Sequence, residues 1–433
     1  MRDLHGQFAF SNFQILADDY DLLIWNQLLC SCFELIVDTT CLLVSSIEEC
    51  GVRLVDVAIV GGSVSGLIAA SQVAKRGLNV TVLEEHREIG VPEKCDGLVS
   101  MAGMNELGIL PPLSVVQNSF SKAIFFSPSM KEVVIDARKQ NVVVLDRSRF
   151  DKYLAEKAAR DGADLQIGKR VVDYIQNETM VSVKMAEVTL DSKVLLDCSG
   201  YESYINNGGS ALQGGQYLVY GKWFDKSTVE VYLDPTSAPA FFKWVIPISN
   251  DVAKIGVAGT GINTFRVLDE FSKQKGAKPI RKSAAPVICS GAINRFVKNR
   301  IAKVGDAAGQ AKPTTGGGIY TGGSGGLLAG KAAATAVLTS NIRALADYEK
   351  AWRERFDNEF KLQLHARNMF EKMSSKQLDQ LIEMVKSSEI PRMISETGDF
   401  DKHSLAIIKS FGIGNLASTF GIVFINEMRN FLS

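Results

Sequence analysis

Gly61, Gly62 and Gly66 follow a short apolar run, Val55–Val60 (VDVAIV), and Glu84 closes the next one, Asn79–Leu83. Strand, glycine turn, helix, strand and acid is the arrangement that binds a dinucleotide. The pyrophosphate lies on the helix N-terminus, the glycines let backbone approach it, and the acid accepts from ribose hydroxyls. The spacing suits this, with 17 residues between Gly66 and Glu84. Ser63 occupies the second glycine position, and its small side chain adds a hydroxyl donor, so weakened rather than abolished binding is expected. Glutamate at the strand end leaves NAD and FAD both open, and an ordinary strand–helix turn is the plain alternative.

A second constellation narrows the chemistry. Arg300–Val304 reads as a strand running into Gly305-Asp306-Ala307-Ala308-Gly309, then Lys312-Pro313-Thr314-Thr315-Gly316-Gly317-Gly318-Ile319 and a small-residue helix through Ala334. A carboxylate at a strand end, followed by glycines that open a helix, suits the ribityl chain and ring of a flavin. The helix N-terminus sets partial positive charge beside the pyrimidine edge and favours the anionic reduced form. Ten of the 37 glycines fall between Gly305 and Gly330. Those at 322, 325, 326 and 330 let the helix pack closely on its neighbours, and the segment is too polar for a membrane GxxxG pair. The expected cofactor is FAD.

These residues need a large scaffold. The chain has 433 residues, and roughly 150 per domain suggests about three domains. Lys plus Arg (48) equals Asp plus Glu (48), which argues against nucleic-acid binding through a general basic surface. With 46% hydrophobic and 22% charged residues, the chain can bury a real core. Seven cysteines, four of them (Cys30, Cys32, Cys41, Cys50) in the first fifty residues, make no disulfide framework, and a reducing compartment follows. Their spacing, with only four histidines, gives no metal site. Between the two constellations, Val142–Asp146 reads as a strand leading to Arg147 and a helix to Gly162. Val194–Leu196 reads as another, ending Asp197-Cys198-Ser199-Gly200.

These two elements resemble the para-hydroxybenzoate-hydroxylase-like FAD flavoproteins: Arg147-Ser-Arg-Phe150-Asp151 matches the R-x-x-F-D element, and Ser199-Gly200 stands where that family has Asp-Gly. A narrower resemblance follows. Pro239-Ala-Phe-Phe242-Lys-Trp244-Val-Ile246-Pro247 is similar to the P-x-x-Y-x-W-x-F-P motif of geranylgeranyl reductases, and Gly90–Gly97 (GVPEKCDG) to their cysteine–glycine loop. Val304–Tyr320 is similar to their flavin signature throughout. From Leu54 onwards the chain resembles that family, of the digeranylgeranylglycerophospholipid reductase type.

The resemblance implies an α/β (α+β overall) fold: a discontinuous Rossmann-like FAD-binding domain (54–120, 140–200 and 290–340), an inserted antiparallel-sheet substrate domain (121–139 and 201–289) and a C-terminal helical cap (341–433). It implies reduction of isolated C=C bonds in geranylgeranyl chains of archaeal ether lipids, by hydride from reduced flavin plus a proton. Gly61, Ser63, Gly66 and Glu84 would hold the adenosine and pyrophosphate side, with Val171 packing on adenine. Cys95 and Gly97 would approach the isoalloxazine, Arg147 support the cofactor, Asp306 take the ribityl or pyrophosphate side, and Gly318 and Ile319 contact the ring. Phe242 and Trp244 would line the isoprenoid tunnel. Cys95 is the catalytic candidate, as proton donor, packing residue or part of a mobile loop; for Trp244, core packing on a half-buried strand is the alternative.

A monooxygenase or halogenase of the same superfamily is the competing reading, since Phe242-Lys-Trp244-Val-Ile246-Pro247 is one substitution from the halogenase W-x-W-x-I-P motif. The electron donor, ferredoxin or a reduced nicotinamide, leaves no fingerprint. Leu345, Tyr348, Trp352, Phe356, Phe360 and Leu364 recur at helical spacing, with Lys350, Arg353, Glu354, Asp357 and Glu359 expected on solvated faces. A last amphipathic stretch, Ile413–Leu432, is read as a pocket lid in preference to a membrane anchor. Residues 1–53 form an extension of doubtful status: Leu22–Ser46 is apolar but interrupted by Glu34 and Asp38, and a true start at Val52 or Leu54 would place the first strand at the N-terminus. A cytoplasmic enzyme is expected, with peripheral membrane contact as the variant.

Overall fold

The computed structural model describes residues 52–222 and 224–402. The expectations for the N-terminal extension and for Ile413–Leu432 lie outside them. The first sheet runs in the order Val297–Lys298, Ile301–Lys303, Thr189–Asp197, Val52–Val60, Val80–Leu83, Asp164–Gln166. The pairs 52–60/80–83, 80–83/164–166 and 189–197/301–303 are parallel. Val57, Ala58 and Ile59 are completely buried, as a continuous apolar run in a sheet covered on both faces should be. An antiparallel hairpin, Val171–Gln176 and Val181–Met185, extends from the strand Thr189–Asp197.

The second sheet is mostly antiparallel: Lys278–Ala284, Ala211–Tyr220, Val252–Gly259, Lys243–Pro247, Thr228–Tyr232, Lys122–Phe126, Glu132–Asp136. Its strands come from two chain segments, and the pair 228–232/122–126 is parallel where they meet. A small third sheet, Leu98–Ser100, Val142–Leu145 and Val116–Phe120, completes the set.

The helix after the first glycine turn spans Val64–Ala74. Gly66 is therefore inside its first turn, where a Cβ would lie 2.1 Å from the Gly61 carbonyl oxygen. The small-residue helix, Ile319–Leu338, outruns its expected end. Its Gly326 and Gly330 face Ser65 and Ala69, with carbonyl oxygens 2.2 and 2.6 Å from where a Cβ would sit, so backbone packs on backbone. The two helices are thereby held side by side.

Ala346–Glu371 forms one long helix, and Ser374 starts the next, Ser375–Lys386, with a reciprocal capping box to Gln377. Ile390–Thr397 follows. Tyr348, Trp352, Phe356 and Phe360 are buried as their spacing suggested. Two of the charges expected in solvent are not there. Glu359 is buried and accepts from Gln363 Nε2 at 2.9 Å. Arg353 lies over the Phe296 ring and donates to the Ile293 and Asn294 carbonyls. The helix is covered on more sides than its polar pattern implied. Among the described residues, no helix is long and apolar enough to cross a membrane.

Candidate active site

The first glycine turn is built by close contact. Gly61 has φ +100°, and a Cβ there would lie 2.4 Å from the Cys198 carbonyl oxygen, so only glycine fits. Asp197, completely buried, fixes that neighbouring turn by accepting from Ser199 Oγ and Ser203 Oγ, both at 2.6 Å, and Tyr174 Oη at 3.0 Å. Burial works against its charge, but these hydroxyls and Lys303 hold the carboxyl below its ordinary pKa. An acid thus serves this turn two residues before the position where Ser199 replaces one. Glu84 Oε2 accepts from the Gly62 amide at 2.7 Å, and Oε1 from the His86 amide at 2.9 Å. The segment leading to Val171 runs alongside, with Lys169 N–H donating to the Glu84 carbonyl at 2.8 Å. The Val171 side chain itself packs with Val55, Ala58 and Val60 against the sheet.

A cavity of about 1020 Å³ opens beside these turns. Ser63, Cys95, Arg147, Asp306, Gly318 and Ile319 line it, as do Phe242 and Trp244. The sequence-derived candidates therefore divide: those eight meet at one cavity, while Gly61, Gly66, Glu84, Gly97 and Val171 support its walls or stand beside it. Gly97, at φ +83°, lets the cysteine loop press on Leu145 and Arg147, whose atoms a Cβ would meet at 2.4 and 3.1 Å.

Arg147 is buried and donates to both oxygens of Asp151, at 3.0 and 3.2 Å, while Ser63 Oγ reaches Asp151 Oδ2 at 3.4 Å. Burial works against the Arg147 charge, but Asp151 and Cys95 outweigh it and raise the pKa above its ordinary value. Its Nε is buried with no hydrogen-bond partner, an unspent donor in the cavity wall. Asp306 faces the lumen and so has accessible surface, yet protein surrounds it; lost hydration raises its pKa, with Arg147 pulling the other way. Gly318 starts the helix Ile319–Leu338, and a Cβ there would sit 3.2 Å from Asp306 Oδ1. Two helix N-termini, a buried guanidinium and glycine-floored loops on one wall form a cradle that fits a dinucleotide cofactor with a flat ring.

The opposite end is apolar. Phe241 and Phe242 stack with centroids 4.1 Å apart, and Trp244 sits edge-on to Phe242 at 5.9 Å. The Trp244 ring lies over Gly256, where a Cβ would come within 2.1 Å of it. Phe242 precedes the strand Lys243–Pro247 rather than alternating along it. Leu362, Met369 and Phe370 of the long helix, Ile382 and Ile394 roof the space. Phe400 and Asp401 close one side: Lys312 Nζ is 3.0 Å from Asp401 Oδ1 and lies over the Phe400 ring.

The sequence passed over Asp96, Lys254 and Glu93. Lys254 is 2% exposed, and its Nζ meets Glu93 Oε1 and the Asp96 carbonyl at 2.8 Å and the Leu145 carbonyl at 3.3 Å. A lysine alone within the apolar run Val252–Gly259 was the available signal.

Residues 54–225 match the FAD binding domain family. A digeranylgeranylglycerophospholipid reductase of Methanocaldococcus jannaschii is 30% identical over 358 residues, covering 77% of this chain and 91% of the relative. An uncharacterized protein of the same organism is 31% identical over 379 residues, covering 83% of this chain and 96% of the relative. Among solved structures, a geranylgeranyl bacteriochlorophyll reductase-like protein from Thermoplasma acidophilum superposes with a TM-score of 0.76 at 25% identity, over 88% of this chain and all of that one.

Proposed function

The chain belongs to the digeranylgeranylglycerophospholipid reductase family, and from that premise we propose how its cavity saturates geranylgeranyl chains. It is an FAD-dependent oxidoreductase that acts on C=C bonds of such chains. The observation that carries the assignment to this site is one cavity with two chemistries: a polar cradle of glycine turns, Arg147 and Asp306 joined to an apolar chamber at Phe242 and Trp244.

Bound FAD supplies hydride to an alkene carbon. In our reading the protein does the rest. Gly61, Gly66 and Glu84 hold the adenosine half; the Gly62 amide and Glu84 carboxylate, paired with each other, are the groups that a ribose and pyrophosphate would exchange onto. Arg147, kept charged by Asp151, offers its spare Nε to the cofactor. Asp306 and Gly318–Ile319 place the flavin end, and Cys95 lines the same cavity. An isolated trisubstituted alkene has no carbonyl to polarise, so holding its carbons against the cofactor is a large part of catalysis. The aromatic and aliphatic walls supply that by area, since a polyprenyl chain offers few directional contacts. They also exclude water from the transfer.

A lipid carrying a polar headgroup at one end suits a chamber that is apolar along its length. A hydroxylase or halogenase is not favoured, because the relatives named over most of the chain are reductases. The electron donor we expect is an external reduced carrier such as ferredoxin or a nicotinamide. The test is anaerobic incubation of the FAD-loaded protein with chemical reductant and a geranylgeranyl lipid. A two-hydrogen mass gain per double bond supports the reading; unchanged lipid with fully reduced flavin sinks it.

A further inference from the structure

We propose that Asp96 is the general acid of the reduction, delivering its carboxyl proton to the alkene carbon that does not receive the hydride. The inference rests on the reductase reading above and supplies the half of the chemistry that the cofactor does not. Protonating an isolated alkene calls for a proton donor in an apolar setting, and a carboxylic acid whose pKa is lifted toward neutrality by its surroundings meets that need.

The geometry is specific. Asp96 lines the cavity together with Cys95 and Trp244. Its Oδ1 is buried without a hydrogen-bond partner, and so is Trp244 Nε1, although the indole N–H faces the carboxyl. Among the described residues the cation that acts on Asp96 is Lys254, and that ammonium is committed elsewhere. Its three N–H groups have three acceptors: Glu93 Oε1, the Asp96 main-chain carbonyl and the Leu145 carbonyl. Glu93 is held in turn by Arg281. The lysine thus anchors the backbone of Asp96 while its charge is matched by Glu93, and Asp96 Oδ1 is left without a hydrogen bond. Burial then pushes the carboxyl up to about 6, with Lys254 and Trp244 opposing and Glu93 adding to the rise.

The step balances. The alkene π pair forms a new C–H bond with the Asp96 proton, and the O–H electrons remain on the carboxylate. The neighbouring carbon takes a hydride from the reduced cofactor, which loses two electrons. Solvent returns the proton to Asp96, and the external reduced carrier returns the electrons.

The test compares wild type, Asp96→Asn and Asp96→Glu, each loaded with FAD. The expected result is that Asp96→Asn binds FAD and is bleached by dithionite like wild type, yet reduces geranylgeranyl lipid at least ~100-fold more slowly. Asp96→Glu recovers part of the rate. Infrared titration of the lipid-free protein gives a second readout: a protonated-carboxyl band lost with a midpoint near 6 in wild type and missing from Asp96→Asn. If Asp96→Asn fails to hold FAD, the wild-type band and the Asp96→Glu rate carry the decision. Equal lipid reduction by wild type and Asp96→Asn, or no such band in wild type, overturns the proposal alone. A wild-type protein that leaves the lipid unreduced overturns the reductase reading and takes this proposal with it.

Discussion

Lys254 Nζ lies 2.8 Å from Glu93 Oε1 with both side chains almost sealed from solvent, tying an inner strand of the second sheet to the cysteine loop. Removing one partner leaves a buried charge uncompensated. Lys254→Met should therefore destabilise by about 3–5 kcal/mol, and the double variant Glu93→Gln/Lys254→Met by less than the sum of the singles. Denaturant unfolding of the four proteins checks this.

The same pair gives acid sensitivity a sign. Burial opposes the Glu93 charge, but Lys254 and Arg281 overcome it and hold the carboxyl below its ordinary 4.5. Its stabilising effect is complete above that value and is lost as pH falls through the lower folded one. Stability measured against pH should fall below about 4.5 in wild type and less steeply in Glu93→Gln.

Gly256 sets the shape of the apolar chamber, because any Cβ there strikes the Trp244 ring. Gly256→Ala should push the indole into the lumen. The expected outcome is kcat/KM for a long prenyl chain falling about tenfold, equivalent to about 1.4 kcal/mol, with FAD affinity unchanged. Steady-state kinetics across chain lengths, with flavin fluorescence as the binding control, decides it.

Gly326 tests the helix pair. An alanine usually strengthens a helix interior by about 1 kcal/mol over glycine, yet here the Ser65 carbonyl stands 2.2 Å from the new Cβ. Gly326→Ala should lower stability by about 1–3 kcal/mol and weaken FAD binding, because the two helix starts part. Unchanged thermal stability would refute the close-packing account.

Thiol chemistry separates the three described cysteines. Burial pushes Cys289 up to about 11 and Cys198 well above its ordinary value, so neither is a ready thiolate at neutral pH. In cofactor-free protein, iodoacetamide should label Cys95 before Cys198 and Cys289, as read by peptide mapping.

Local motifs made the cofactor half of the molecule legible. Gly61 and Gly66, Arg147 with Asp151, and Asp306 with Gly318 each announce themselves within a few neighbouring residues, because a cofactor's phosphates and ring impose fixed short spacings. Phe242 and Trp244 were readable because they fall within one short stretch, 239–247, and both line the cavity. Asp96 and Lys254 were not: they are 158 positions apart, and only sheet formation brings their chain segments together. Nothing in the text around Asp96 distinguishes it from a solvated loop acid. Glu359 and Arg353 failed differently, since a charged helix face reads as surface until a second body of protein covers it. Val171 belongs to neither class: it is half-buried, packs partly on the sheet and does not line the cavity.

On the proposed reading the chamber around Phe242 and Trp244 recognises its guest by apolar area, and saturating one double bond changes that area very little. Product and substrate should therefore be held with similar strength, so nothing in the walls ejects a chain once it has been reduced. A lipid with several double bonds would then gain more from sliding than from leaving, with each turnover setting up the next and final departure limiting the rate.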